Sequence, residues 1–211
     1  MEASFGGGEA NVAVSLANFG MDVQYCTVLP NNVIGDECIK ELRQFGVDVS
    51  KVKRGEGRMG IYFLESGANQ LPSKVTYDRK HSAITEYDFS QVDLDALLEG
   101  FDWLHLSGIT PALSPSCAQL VLDCLKVARN KGMTISFDGN FRSALWSWEE
   151  ARDFCTQCLP YVDVLLGIEP YHLWRDEKDH SKGDWKDGVP LHPSYEEQDM
   201  IFQAFVARYP N

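Results

Sequence analysis

The residues Gly6-Gly7-Gly8-Glu9-Ala10-Asn11 run directly into Val12, Val14, Leu16 and Ala17, and Gly20 follows. A glycine cluster that opens a helix leaves backbone N–H groups unshielded, so a ligand can come up against the main chain. The same residues could also form no more than a turn. Three further clusters each follow an apolar run: Ser107-Gly108-Ile109-Thr110, Asp138-Gly139-Asn140-Phe141-Arg142 and Gly167-Ile168-Glu169. Polar residues in such places cap the next helix. A cation is disfavoured by the dipole at a helix N-terminus, which makes Arg142 a better anion contact than a cap. Cys155-x-x-Cys158 has the spacing of a redox or metal pair, but no second pair completes a zinc site. Its surroundings have helical period, and it reads as two small packing residues, as do Cys117 and Cys124.

The elements that would position these clusters follow from hydrophobic periodicity. The glycine cluster opens a helix that Gly20 closes. Val23 to Leu29 reads as a strand, and Gly35 to Phe45 as a helix stopped by Gly46. Gly60 to Leu64 and Lys74 to Arg79 read as two strands joined by the turn-rich 66–70 segment, with no helix between them, which predicts an antiparallel hairpin projecting from the main body. From Phe101 onward strand and helix alternate: strands at Phe101–Leu106, Met133–Phe137 and Val162–Leu166, helices at Ser114–Lys131 and Trp148–Leu159. Near-continuous apolar strands in that alternation predict a parallel sheet covered on both faces, with ligands bound beyond the carboxyl ends of the strands. Arg175 to Gly188 reads as a charged loop, and a final helix runs through Phe202, Phe205 and Val206.

Composition narrows the function classes. With 211 residues, 44% of them hydrophobic, the chain can bury a full core as one domain. A formal net charge of −12 argues against nucleic acid, whose binding draws on clustered cations. No apolar run is long enough for a membrane helix, and the N-terminus lacks the basic-then-apolar pattern of a signal peptide. The expectation is a soluble, cytoplasmic protein with a small-molecule partner.

Several separated blocks together resemble one family. Gly6-Gly-Gly-Glu-Ala-Asn11, with its helix and Gly20, resembles the first signature of the ribokinase-like PfkB sugar kinases. Val75-Thr-Tyr-Asp-Arg79-Lys-His-Ser-Ala83, Leu104-His-Leu-Ser-Gly-Ile-Thr110 and Ser136-Phe-Asp-Gly-Asn-Phe-Arg142 with Leu145-Trp146 resemble the 2-keto-3-deoxygluconate kinase branch. The resemblance implies an α/β fold with a Rossmann-like three-layer α/β/α core and a small β lid, the hairpin at about residues 57–84 of a single domain spanning 1–211. It implies transfer of the γ-phosphoryl group of ATP, with Mg2+, to a hydroxyl of a sugar or sugar acid, chemistry that asks for positioning and charge stabilisation. On that pattern the Gly6 and Gly7 backbone and the Asn11 amide meet sugar hydroxyls, and Tyr62 and Tyr77 of the lid contact the substrate and exclude water. Arg79 pairs with an acid-sugar carboxylate, Ile109 lines the pocket, and Arg142 faces the substrate or the transferring phosphate. Packing alone would also account for the two tyrosines in strands. Asp138 either orients Asn140 or acts at a helix end, and His81 and His105 read as structural.

The chain also departs from that pattern. The family's second signature, a Gly-Ala-Gly-Asp sequence that supplies an anion hole and the catalytic base, does not occur in the chain, so no catalytic base is assigned. Glu169 stands near the place of a family element linked to magnesium. The expectation is the sugar-binding portion of a 2-keto-3-deoxygluconate kinase, shortened at both ends, with an incomplete C-terminal half and most of the nucleotide site missing. A binding protein without catalysis, and a kinase for a neutral sugar such as fructose or ribose, are the alternatives. An uncovered sheet edge would favour pairing of copies into a homo-oligomer.

Overall fold

The computed structural model describes residues 3–69, 72–167, 185–186, 189–190 and 194–209. The chain divides into two compact units, Met1–Val92 and Asp93–Asn211.

In the first unit, helix α1 (Gly8–Asn18) is followed by strand β1 (Val28–Pro30), helix α2 (Val33–Gln44) and strand β2 (Lys53–Gly55). The Asn32 side chain caps α2 by accepting from the N–H groups of Ile34 and Gly35, both at 3.1 Å, which satisfies two of the helix's orphan donors. β1 and β2 pair in parallel, Val28 with Lys53 through Pro30 with Gly55. The strand expected over Val23–Leu29 is thereby shortened. Its first half keeps only a bridge, Gln24 with Asp48, because the partner segment turns at Val49–Val52 (Val52 N to Val49 O, 3.1 Å) before pairing resumes. The unit's core is Ala13, Leu29, Cys38, Leu42, Val47 and Val49.

The expected hairpin is present. Strands β3 (Ile61–Glu65) and β4 (Lys74–Asp78) pair antiparallel, with Tyr62 opposite Tyr77 and Leu64 opposite Val75. Side chains opposite each other share a face, so one face of the ribbon is Tyr62, Leu64, Val75 and Tyr77. The other carries Ile61, Phe63, Thr76, Asp78 and the Glu65/Lys74 pair. A short helix, α3 (Ala83–Glu86), follows.

The second unit begins with the short helix α4 (Leu94–Leu97) and then alternates as the sequence predicts: β5 (Trp103–Ser107), α5 (Pro115–Asn130), β6 (Thr134–Asp138), α6 (Trp148–Cys158) and β7 (Val164–Leu166). The three strands form a parallel sheet in the order β5-β6-β7. Ser114 caps α5 by accepting from Cys117 N at 3.2 Å, with Pro115 at the first helical position, where a missing N–H costs nothing. A capping box holds the start of α6, with Glu150 N donating to Ser147 Oγ at 3.2 Å and Ser147 N to Glu150 Oε2 at 2.8 Å. Cys117, Val121, Cys124, Leu125 and Ala128 recur at helical spacing on the buried face of α5.

Val121, Leu125 and Ala128 of this face join Ile135, Phe137, Cys155, Cys158 and Leu159 in one core, against which Leu104, Leu106 and Leu165 also pack. Fully burying side chains the size of Val121, Leu125, Ile135 and Phe137 stabilises by about 1.5–3 kcal/mol each. The Cys155/Cys158 pair therefore packs, and burial pushes the Cys158 thiol well above its ordinary range. Asp163 ties the sheet to α5: its carboxylate accepts from Ile135 N at 2.8 Å and from Arg129 at 3.1 Å. On the opposite face, Trp103 Nε1 donates to Ser136 Oγ at 2.9 Å, and His105 Nδ1 lies 2.9 Å from the same oxygen, a structural use of that histidine. The last helix, α7 (Tyr195–Arg208), buries Ile201 and packs Phe205 against the core.

Candidate functional site

The first unit gathers most of the residues with chemical potential around the N-terminus of α1 and one face of the hairpin. Gly7 is the N-cap of α1; its carbonyl accepts from Asn11 N at 2.8 Å, and it has no side chain to satisfy the first-turn N–H groups. The positive end of the helix dipole thus carries no side-chain cap where an acceptor could approach Gly7. A Cβ added at Gly6 would lie 3.4 Å from Tyr62 Oη and 3.8 Å from Asn11 Oδ1. Gly6, Asn11 and Tyr62 therefore border one small space, and any side chain at position 6 would intrude on it.

The register of the hairpin extends the space. The rings of Tyr62 and Tyr77 lie with centroids 6.1 Å apart, tilted by 51°. The Arg79 guanidinium sits over the Tyr77 ring, 4.0 Å from its centroid. A guanidinium on an aromatic face gains from the ring quadrupole while its N–H edge stays open. No carboxylate pairs with Arg79 among the described residues, whereas Arg54 pairs with Asp36 and Arg58 with Asp78. Tyr62 and Tyr77 are 47% and 43% exposed, so packing within the hairpin leaves nearly half of each ring open to a ligand.

The second unit presents a rim at the carboxyl ends of its strands, where open parallel sheets bind ligands. Gly108 N donates to Asp138 O at 2.8 Å, and Gly139 N donates to Leu166 O at 2.8 Å. A Cβ on Gly108 would fall 2.3 Å from Gly139 O, so β5 and β6 can end this close together only with glycine there. Ser107 Oγ accepts from Ile109 N at 3.2 Å and fixes the Ile109 backbone at the rim. Asp138 Oδ1 accepts from Asn140 N at 3.0 Å, holding Asn140 in the left-handed region (φ 37°), so Asp138 orients Asn140. Arg142 is exposed and donates to the carbonyl of its neighbour Phe141 at 2.8 Å, a bond that occupies one of its five donors.

Gly6, Asn11, Tyr62, Tyr77 and Arg79 are thus brought together within the first unit, beside Gly7. Ile109 and Arg142 belong to the rim of the second unit. Glu169 and most of the 175–192 segment lie outside the described residues. No motif in the sequence singles out Arg58, yet its side chain pairs with Asp78 immediately before Arg79. Only the hairpin register brings these residues together across 20 positions of sequence.

No group of three or more His, Cys, Asp or Glu among the described residues could hold a metal ion. No helix among them is long and apolar enough to cross a membrane.

Residues 1–170 match the model of the pfkB family carbohydrate kinases. The 2-dehydro-3-deoxygalactonokinase of Haloferax volcanii is 36% identical over 169 residues, covering 80% of this chain and 53% of that protein. The 2-dehydro-3-deoxygluconokinase of Bacillus subtilis is 36% identical over 142 residues, 66% of this chain and 43% of that one. The crystal structure of the Thermotoga maritima 2-dehydro-3-deoxygluconokinase superposes with a TM-score of 0.85 at 40% identity, over 99% of this chain and 61% of that one. The chain spans about half the length of the curated relatives it matches. The match over residues 1–170 and the shared α/β architecture place the chain in the pfkB family of carbohydrate kinases, with the ribokinase-like fold.

Proposed function

We infer that this chain carries the acceptor-binding part of an ATP-dependent kinase for a 2-keto-3-deoxy sugar acid, with 2-keto-3-deoxygluconate as the substrate. The observation that carries this reading is Arg79, stacked on Tyr77 without a carboxylate partner among the described residues, on the face that Tyr62 shares with Gly6 and Asn11. A sugar acid has a carboxylate for the guanidinium fork and hydroxyls for the backbone N–H groups and the Asn11 amide. A neutral sugar would leave Arg79 unmatched. The names of two relatives differ only in the sugar, galactono or glucono, which supports the 2-keto-3-deoxy acid class more strongly than either epimer.

Within this reading the Gly6 and Gly7 main chain and Asn11 orient the sugar hydroxyls, the tyrosines cover the ring and keep water off it, and Arg79 fixes the acid end. Ile109 and Arg142 stay in the proposal through their motifs, Ile109 as pocket lining and Arg142 facing the substrate or the transferring phosphate. ATP is the phosphoryl donor of the proposed reaction, and Mg2+ would neutralise charge on its phosphates. The described residues do not form a metal cage, and the given sequence holds no Gly-Ala-Gly-Asp element.

Calorimetric titration of the chain with 2-keto-3-deoxygluconate, its galactonate epimer and fructose tests the reading. The acids bind and fructose binds at least tenfold more weakly, in line with the roughly 1.5–3 kcal/mol of a hydrogen bond to a charged group. Equal affinity for fructose would remove the sugar-acid assignment.

A further inference from the structure

Arg79 does its proposed work from the first residue beyond β4, where strand pairing has already ended. Its direction must therefore be set by something other than the ladder, and the segment just before β3 supplies it. Arg58 is bonded to both sides of Arg79. Its guanidinium pairs with the Asp78 carboxylate on one side, and its Nε donates to Lys80 O at 3.1 Å on the other. Its Nη1 also reaches its neighbour Met59 O at 3.5 Å. The backbone repeats the connection: Arg58 N donates to His81 O at 3.4 Å, and Ala83 N donates to Arg58 O at 2.9 Å, around a parallel bridge between Arg58 and Ser82. Gly60 faces the same stretch, where an added Cβ would lie 3.9 Å from Arg79 Cα.

Charge gives this arrangement a second effect. Asp78 is next to Arg79 in sequence, but strand alternation turns it to the opposite face, and Arg58 occupies it there. Without Arg58, the Asp78 carboxylate would lose its compensating cation one residue from Arg79.

Resting on the sugar-acid reading, we propose that Arg58 is a positioning residue. It latches the outgoing end of β4 through Asp78 and the Lys80 carbonyl, and so fixes the direction of Arg79 and keeps its guanidinium available to the substrate carboxylate. Arg58 touches no substrate; it acts on affinity through Arg79.

Two measurements on the full chain test this: backbone hydrogen exchange over residues 76–83 without ligand, and calorimetric affinity for 2-keto-3-deoxygluconate. In Arg58→Gln the segment exchanges at least fivefold faster and the acid binds 5- to 20-fold more weakly. In an Arg79→Lys background the same change costs less than twofold, because the group it positions is already altered. Arg58→Lys keeps the ion pair and loses the bond to Lys80 O, so its effect falls between wild type and Arg58→Gln. It also serves as the control if Arg58→Gln does not fold. Unchanged exchange overturns the latch. Faster exchange with unchanged affinity, or a full additive loss in the Arg79→Lys background, overturns action through Arg79. If the wild-type chain binds no acid sugar, the reading of function fails instead, and the exchange rates alone decide the latch.

Discussion

The parallel sheet of the second unit and the hairpin of the first are both rich in apolar and aromatic residues, and they use them in opposite ways. Ile135 and Phe137 on β6 are wholly buried between strands and helices, while Tyr62, Phe63, Leu64 and Tyr77 on the hairpin remain 43–59% exposed. The side chains of Ile135 and Phe137 are held by contacts on every side, and their substitution should register as stability. Among the described residues the hairpin is a two-stranded sheet, an arrangement that is marginal by itself and tolerates exposed rings only where something else uses them. The proposed use is acid-sugar binding, which rests on the stacked Arg79 and the approach of Tyr62 to Gly6.

The sharpest break between the regions should appear in paired truncations. Phe137→Ala empties the centre of the core and is expected to cost about 3–5 kcal/mol. Tyr77→Ala removes a half-exposed cross-strand partner and is expected to cost below about 1 kcal/mol in unfolding while weakening acid-sugar binding. Chemical denaturation of both variants checks this, and a Tyr77 cost equal to that of Phe137 would make the hairpin aromatics structural.

A smaller effect concerns how the sheet is tied. Ile135 N–H, and after it Arg129, holds the Asp163 carboxyl below the ordinary carboxylate range. A depressed folded-state pKa contributes stability that is complete above the unfolded value, near 4, and is lost as pH falls through the folded one. Asp163→Asn should therefore lower stability modestly at neutral pH, because solvent screens so exposed a carboxylate, and by progressively less below pH 4. Denaturation curves across that range read the difference, and a pH-independent effect would contradict the assignment.

The smallest expected effect concerns the thiols. Five of the six cysteines are buried, and desolvation pushes the sixth, Cys26, up to about 11. At pH 8 the native chain should react slowly with a thiol-specific reagent and release all six equivalents only when unfolded. Rapid labelling of two thiols in the native chain would reopen the Cys155-x-x-Cys158 pair as a redox site.

Local chemistry explains what the sequence reveals. α5 is expected at Ser114–Lys131 and observed at Pro115–Asn130 because a serine cap, a proline at the first turn and Gly132 (φ 72°) mark both ends. The hairpin is legible from two β-forming runs around a turn-rich segment. The truncation of the Val23 strand is not, since it depends on a turn in its partner at Val49–Val52. The composition of the candidate site is legible through the Gly6–Asn11 and Val75–Ala83 blocks. Its geometry is not: Tyr62 opposite Tyr77 and Arg58 against Asp78 both follow from register, which a long connection leaves unspecified in sequence.

The account turns on Arg79 as the carboxylate contact, and the ratio of affinities for 2-keto-3-deoxygluconate and fructose, measured by calorimetry in wild type and Arg79→Ala, tests it most directly. The account predicts that the variant loses acid affinity by about 10- to 100-fold, the value of a charge-assisted hydrogen bond, while fructose binding stays within about twofold. An acid-to-fructose ratio that survives the substitution would contradict it.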